Sequence, residues 1–513
     1  MNHRTPRILA ACCGVALSAI ALGDKTSLTI YSTAAPGAIP AEMYRPLPAS
    51  RSAHGYGYRP FLQAPGYAVV RQDRSMALVQ GRSSVSFTDV ASMIDPTTVS
   101  FASLTDPSGT RVIEQSYQFD LVSPDKLLER FVDQTIGVTI YHGDTTQSLS
   151  GRLLSSAPGQ LVLSTDAGIR VVTGYSGLTL PTLPEGLITR PTLKWDVNAQ
   201  RAGAHDVRVS YQTQGVTWWA DYNLIFAPGD DENTGTLEVA SWVSILNQSG
   251  ASYENATLKL VAGDVHRAPT PSHGMQERWA AAVPATVGGD AGFEEKSFFE
   301  YHLYTLGRPT SIADNSTRQI ELFDSARRVP CEKILVYDGA GEMYWGSAGP
   351  ALDQGFGVQT RPDVDVYLRF QNTKEAGLGI PLPAGRIRVS KLDKADDTLE
   401  FIGEDVIRHT PREEPVLVRM GKAFDVVGER RQVDFRVDRS RREIVETVEV
   451  KVRNRKNERV RVVVQERINR WGTWEIQKSS VAGKKLDATL MHFPLVLNPD
   501  EEGVVTYTVR YTW

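Results

Sequence analysis

The sequence predicts an all-β chain of several domains, and three observations carry that prediction. From about position 67 onward, short runs rich in β-branched and aromatic residues recur every 8 to 15 residues or so, separated by Gly, Pro, Asp and Asn. Within the runs, apolar and polar residues alternate: Val85 and Phe87, and Val99 and Phe101, are interleaved with small or polar residues, and Tyr117, Phe119 and Leu121 alternate with polar partners. Each run therefore offers one face to a core and one to water. Finally, 513 residues exceed what a single hydrophobic core usually serves. Charged residues at 23% and a net charge of -4 exclude the basic footprint of a protein that lives on nucleic acid or anionic lipid.

Residues 1–23 have the build of a secretory signal peptide. Arg4 and Arg7 precede an apolar run at 8–22, and Ala21 and Gly23 place a cleavage site near Gly23. A lipoprotein reading of Leu9-Ala10-Ala11-Cys12 fits less well, because only four residues separate Arg7 from Cys12. Cleavage removes Cys12 and Cys13 and moves the net charge from -4 to -6. Only Cys331 then remains, so a chain sent to an oxidising compartment has no internal disulfide. Cys331 precedes the apolar run 334–336 and reads as a half-buried thiol near a strand start.

Residues 24–122 read as an extended lead-in, without clear period to about 66, followed by an N-terminal β region. Asp95-Pro96 and Asp106-Pro107-Ser108-Gly109 are turn sequences, since proline presets φ and glycine accepts positive φ. One helix is legible near 124–132. Ser123 is its N-cap, Pro124 suits the first position, and Leu127, Leu128, Phe131 and Val132 share a face. Short runs at 137–141, 149–154, 161–164 and 169–172 follow, with turns at 142–144, 158–159 and 166–168. A short helix and about five strands within 123–185 look like a small SH3-type barrel of the Sm variant. Basic residues are sparse there, so it reads as a structural module without nucleic acid.

Pro181, Pro184 and Pro191 mark a linker. Runs at 206–211, 220–226, 236–246 and 256–261 then build a sandwich-like unit over 186–330, interrupted by a mobile loop at 267–296 that holds Pro269, Pro271, Pro284 and Gly288-Gly289. A second sandwich-like unit occupies 331–513, clearest at 386–390, 399–402, 448–452, 460–464 and 504–513.

Several of these stretches carry a resemblance. Asp206-Val207-Arg208-Val209-Ser210-Tyr211, Gly215-Val216-Thr217-Trp218, Asn247-Gln248-Ser249-Gly250 and Leu258-Lys259-Leu260-Val261-Ala262-Gly263-Asp264 form one set. Ile380-Pro381-Leu382-Pro383-Ala384-Gly385, Gly403-Glu404-Asp405, His409-Thr410-Pro411, Phe424-Asp425-Val426-Val427 and Val509-Arg510-Tyr511-Thr512-Trp513 form another. Together, over roughly 190–513, they resemble a bacterial exported domain-of-unknown-function family related to mucoidy-inhibitor proteins. The resemblance implies an exported, β-rich envelope protein and supplies no catalytic residues. Mucoidy-inhibitor relatives usually have a helical hairpin in the N-terminal half, which this chain lacks.

Local chemistry is sparse. The nine histidines stand at 3, 54, 142, 205, 266, 273, 302, 409 and 492, too far apart for a sequence-local zinc motif, and no cofactor fingerprint or nucleophile elbow occurs. Two constellations remain. Glu404, Asp405, Glu413 and Glu414 surround His409, an arrangement general-base chemistry uses, but Asp405 and His409 are more simply read as satisfying a turn or bulge before Thr410-Pro411. Asp264 and His266 share a face where a strand meets the long loop, a place that also suits plain solvation. Asp393, Asp396 and Asp397 read as a solvated hairpin tip rather than a calcium loop. Trp218, Trp219, Tyr222, Trp242 and Tyr253 cluster as either core rings or a stacking platform for sugars.

The expected function is that of an exported, non-catalytic envelope interaction or scaffold protein without cofactor or metal. A glycan-binding or glycan-active protein is the alternative, so the expected partners are envelope proteins or glycans. No transmembrane helix is expected after signal cleavage. A third reading, an outer-membrane β-protein, comes from Val505, Tyr507, Val509, Tyr511 and Trp513, apolar at every second position up to the terminus.

Overall fold

The computed structural model describes residues 24–31, 39–44, 64–142, 145–157, 159–184, 186–231, 233–263, 293–298, 301–340, 349–358, 360–393 and 395–513. The signal segment 1–23 and most of the expected loop, 267–292, lie outside the described residues. The architecture is all-β, built of several sheets. No helix among the described residues is long and apolar enough to cross a membrane.

The chain forms two compact units, each drawn from separate stretches. Of the described residues, the first comprises 24–28 and those within Val69–Thr213 and Ser249–Ala256. In it, Thr192–Ala199 pairs antiparallel with Gly81–Thr88 on one side and Thr110–Gln118 on the other. The inner strand centres on Trp195, fully buried against the rings of Phe87 and Phe101 at 5.5 and 5.1 Å, its Nε1 donating to Gln115 Oε1 at 2.8 Å. A buried indole with its donor satisfied is worth several kcal/mol, about 3–5 on truncation.

The expected helix is present as Pro124–Arg130, with Ser123 Oγ accepting the Lys126 N–H at 3.3 Å. It ends two residues early: Leu128 and Phe131 are buried, but Val132 faces solvent and Asp133, at φ 66°, turns the chain away. The five strands that follow are antiparallel in the order Tyr175–Thr179, Thr135–His142, Thr145–Ala157, Gln160–Thr165, Gly168–Thr173. Ile136, Val138, Leu153, Leu161, Leu163 and Val172 form their common core with the helix.

The second unit comprises Thr29–Ala68, Gln214–Gln248 and Thr257–Trp513. Its main sheet has 14 strands. The principal path runs Leu399–Ile407, Gly385–Leu392, Val216–Pro228, Thr234–Asn247, Ala326–Tyr337, Asp363–Gln371, Pro415–Asp438, Glu443–Asn454, Glu502–Thr512, Trp474–Ser479. Ser316–Glu321 joins at Thr234–Asn247, and Val460–Arg467 joins Ala326–Tyr337 to Leu490–Leu497. Two cores result. One gathers Tyr222, Leu224, Leu237, Val329, Leu368, Ile387, Val389 and Val418. The other gathers Tyr337, Val426, Ile444, Val450, Val462, Phe493, Tyr507 and Val509. The 24-residue strand Pro415–Asp438 serves both, with Val416 and Val418 in the first and Val426 in the second. Ala326–Tyr337 runs through position 331 without interruption.

Several local expectations are corrected. The lead-in contains a strand, Lys25–Tyr31, whose Leu28 and Ile30 are fully buried, and a helical turn, Ala41–Tyr44. Asp95-Pro96 lies at the start of the strand Ile94–Ser103 rather than in a turn; a proline is tolerated there because its missing N–H falls at the strand's beginning. The run at 117–121 stops at Gln118, and Phe119 is exposed, stacked on Tyr117. The loop expected at 267–296 ends sooner, since Phe293–Phe298 is a strand paired with Tyr301–Leu306. Its charges hid it: Glu295 is buried because its carboxylate meets His302 Nδ1 at 2.7 Å. Cys331 is buried rather than half-buried, six residues into its strand, and burial followed by the charge of Glu332 pushes its thiol up to about 12.

The apolar alternation of the last strand is consumed inside the protein. Val505, Tyr507, Val509 and Tyr511 are buried in the second core, and Arg510 on the other face pairs with Glu443 and Glu475.

Candidate functional site

The strand Val216–Pro228 separates its residues by parity. Trp218, Ala220, Tyr222 and Leu224 face inward, whereas Trp219 and Asp221 stand on the opposite face. The neighbours follow the same rule. Ser244 lies opposite Trp219, Gln319 opposite Ser244, and Arg386 beside Asp221, while Ile387 and Val389 go to the core. The pairing of Val216–Pro228 with Gly385–Leu392 is parallel and joins residues some 165 positions apart. Period 2 in four strands thus collects a polar, aromatic face from segments distant in sequence.

A cleft of about 310 Å³ opens on this face, lined by Ile39, Tyr44, Trp219, Asp221, Ser244, Thr317, Gln319, Arg386 and Arg388. One wall is aromatic, with the Tyr44 and Trp219 rings 5.5 Å apart at 46°. Ile39 and Leu246, both buried, back this wall, with Tyr44 and Trp219 packed against them. The floor is a fixed hydrogen-bond network. Asp221 Oδ2 accepts from Trp219 Nε1 at 2.7 Å and from the Ser244 hydroxyl at 3.1 Å, and Gln319 Nε2 donates to Ser244 Oγ at 3.0 Å. Asp221 Oδ1 accepts from Arg388 Nη1 at 3.3 Å, and Arg388 Nε lies 3.6 Å from Glu404 Oε2. A buried carboxylate with three donors holds its neighbours in place and leaves little room for slack. Beneath it, burial and then the Asp221 charge keep the Tyr222 phenol well above its usual range, and its hydroxyl donates to Pro383 O at 2.8 Å.

The structure disperses the residues that the sequence singles out. Trp218 and Tyr222 are 2% and 1% exposed, so neither presents a ring to a solute; Tyr253 is likewise buried. Trp219 reaches the cleft, and Trp242, opposite Asp221 in register, is exposed. Asp405 Oδ1 accepts the Val406 N–H at 2.8 Å and its Oδ2 the Arg419 N–H at 2.7 Å. That carboxylate ties the strand Leu399–Ile407 to Pro415–Asp438. His409 accepts the Ala384 N–H on Nδ1 at 3.1 Å. Glu413, at φ 65°, closes a turn through its own N–H to Asn372 O at 2.9 Å. Glu404 alone among them approaches the cleft, through Arg388. Asp264 and His266 lie outside the described residues. Asp393 and Asp396 bond the backbone of their own turn, at Ala395 and Thr398.

A serine–histidine contact that the sequence did not reveal lies in the first unit. Ser103 Oγ and His205 Nδ1 are 3.0 Å apart, the spacing of a nucleophile and its base. Both are buried, His205 Nε2 is bonded to Arg201 O, and the Ser103 hydroxyl also accepts the Asp106 N–H. Enclosed in this way, the pair fastens a turn to a strand.

Fold and cleft define an all-β protein with a small, polar, aromatic-walled cleft on one sheet face. No protein-family model matches the chain, and no curated protein matches it.

Proposed function

We propose that the chain is an exported, non-catalytic binding protein of the bacterial envelope that takes a saccharide-type ligand in the Trp219 cleft. The observation that carries the reading is the junction of an indole wall with a rigid polar floor. A sugar ring offers an apolar C–H face, which stacks on an aromatic ring, and a rim of hydroxyls, which Gln319, Ser244 and the arginines meet as donors and acceptors. Binding without turnover suits the floor. Asp221 is the carboxylate of the lining and its oxygens are held by Trp219, Ser244 and Arg388, whereas glycoside hydrolysis uses two carboxyl groups flanking the bond. The resemblance of 190–513 to an exported envelope family supports the same reading.

A glycan array probed with the wild type and with Trp219→Ala tests it. The expected result is binding to a subset of glycans that Trp219→Ala abolishes while the thermal midpoint stays within a few degrees. Silence of the wild type, or undiminished binding by Trp219→Ala, overturns the proposal. Trp218→Ala is unsuitable as the binding variant, because it empties a core site.

A further inference from the structure

We infer that the unit seated in the cleft carries a carboxylate and that Arg386 reads it, so that the ligand is an acidic sugar of the uronic-acid type. This rests on the saccharide reading above. Arg386 stands half-buried on the polar face of Gly385–Leu392, beside Asp221 in register, and lines the cleft. Among the described residues its guanidinium has no hydrogen-bond or ion-pair partner, while its backbone is paired in the sheet. The charged groups around it are already engaged: Arg388 bridges Asp221 and Glu404, and Asp221 is held by Trp219, Ser244 and Arg388.

Both nearby carboxylates, Asp221 and Glu404, are thus committed to Arg388, and the Arg386 guanidinium is left without a counter-charge while half withdrawn from water. A partly desolvated guanidinium without a counter-charge is costly, and the group that best relieves that cost is planar, anionic and able to accept two parallel N–H bonds. A carboxylate meets all three requirements. Its carrier must also present a face to the Trp219 indole and hydroxyls to Gln319 and Ser244, as a sugar acid does on a single ring. At about 310 Å³ the cleft lies at the small end of ligand pockets, so one or two rings fill it.

Calorimetric titration of the full chain with a glucuronate-terminated disaccharide and with the matched glucose-terminated disaccharide tests the assignment. The acidic sugar should bind about ten- to a hundred-fold more tightly, as a charge-assisted pair provides, and added salt should narrow the gap. In Arg386→Gln the ratio of the two affinities should fall to near one, and its circular dichroism spectrum and thermal midpoint report that the fold is kept. If both sugars bind the wild type equally and Trp219→Ala abolishes both, the carboxylate assignment fails and the saccharide reading stands. If neither binds at millimolar concentration, both fail. If acetate competes as well as the sugar acid, the site reads a bare carboxylate and the acidic-sugar assignment fails.

Discussion

Two arginines of the second unit occupy positions where a charge is tolerated only with complete pairing. Arg430 Nε lies 3.1 and 3.0 Å from the two oxygens of Glu466, which is fully buried and also accepts the Tyr507 hydroxyl at 2.5 Å. Arg470 grips Glu446 through Nε and Nη2 at 2.9 and 3.1 Å and donates to the carbonyls of Ala351, Asp353 and Phe356. Removing one partner strands the other, so Glu466→Gln should lower unfolding stability by about 3–5 kcal/mol, read as a shift of the urea midpoint. The double variant Arg430→Met/Glu466→Leu should recover much of that loss; a double variant worse than the single one would contradict the argument. The Asp73–Arg208 pair in the first unit, bonded at 2.8 and 2.7 Å, gives a pH-dependent case. The hydrogen bond from Arg208 holds the Asp73 carboxyl below its ordinary 3.8. A depressed folded-state value adds stability above the unfolded value and loses it as pH falls through the folded one. The stability gap between wild type and Asp73→Asn should therefore be complete above pH ~5 and close below 3.8, and a gap that widens with acid would refute it. None of these pairs was legible in the sequence. Glu466 continues the inward parity of Val462 and Val464, and Glu449 stands on the outward parity of its strand, so the direction of each carboxylate follows from alternation; what nothing local shows is that Glu466 meets an arginine 36 positions away.

At the scale of elements, alternation was readable and pairing was not. The strands near 161–164, 386–390, 448–452 and 504–513 are legible because one parity is apolar and the core takes that parity. The strand Phe293–Phe298 was obscured by its acids, and Asp95-Pro96 suggested a turn where a strand begins. Of the cleft only the Trp219 ring was singled out from the sequence, and the rest escaped detection for a related reason. Trp219, Asp221, Arg386 and Arg388 are the polar parity of two good strands, which from sequence alone reads as a solvated face, and the parallel register that joins them is written nowhere locally. Close approach between elements leaves its own mark at Gly428. A Cβ built there would lie 2.1 Å from the Tyr337 ring, itself fully buried. Gly428→Ala should cost about 1–3 kcal/mol through overpacking, whereas Gly472→Ala, with open space around its Cβ, should leave the denaturation midpoint nearly unchanged. Equal midpoints for the two variants would show that the ring moves aside freely.

At the scale of the whole molecule, the two cores of the second unit are bound into one sheet by strands that serve both. Pro415–Asp438 and Ala326–Tyr337 each contribute side chains to the first core and the second. The two cores should therefore unfold together. Val418→Ala and Val450→Ala, one in each core, should advance the same single transition, and the buried Cys331 thiol should become reactive toward a thiol reagent at that transition and not before. Separate transitions for the two variants would contradict it. The cleft rests on the outer face of the first of these cores, with its polar parity fixed by the apolar parity beneath. The most direct measurement is a crystal structure of the protein grown with a glucuronate-terminated disaccharide. Density for a sugar ring against the Trp219 indole, with its carboxylate on Arg386, is the predicted result. An ordered disaccharide seated elsewhere on the protein, with the Trp219 cleft holding only water, would contradict it.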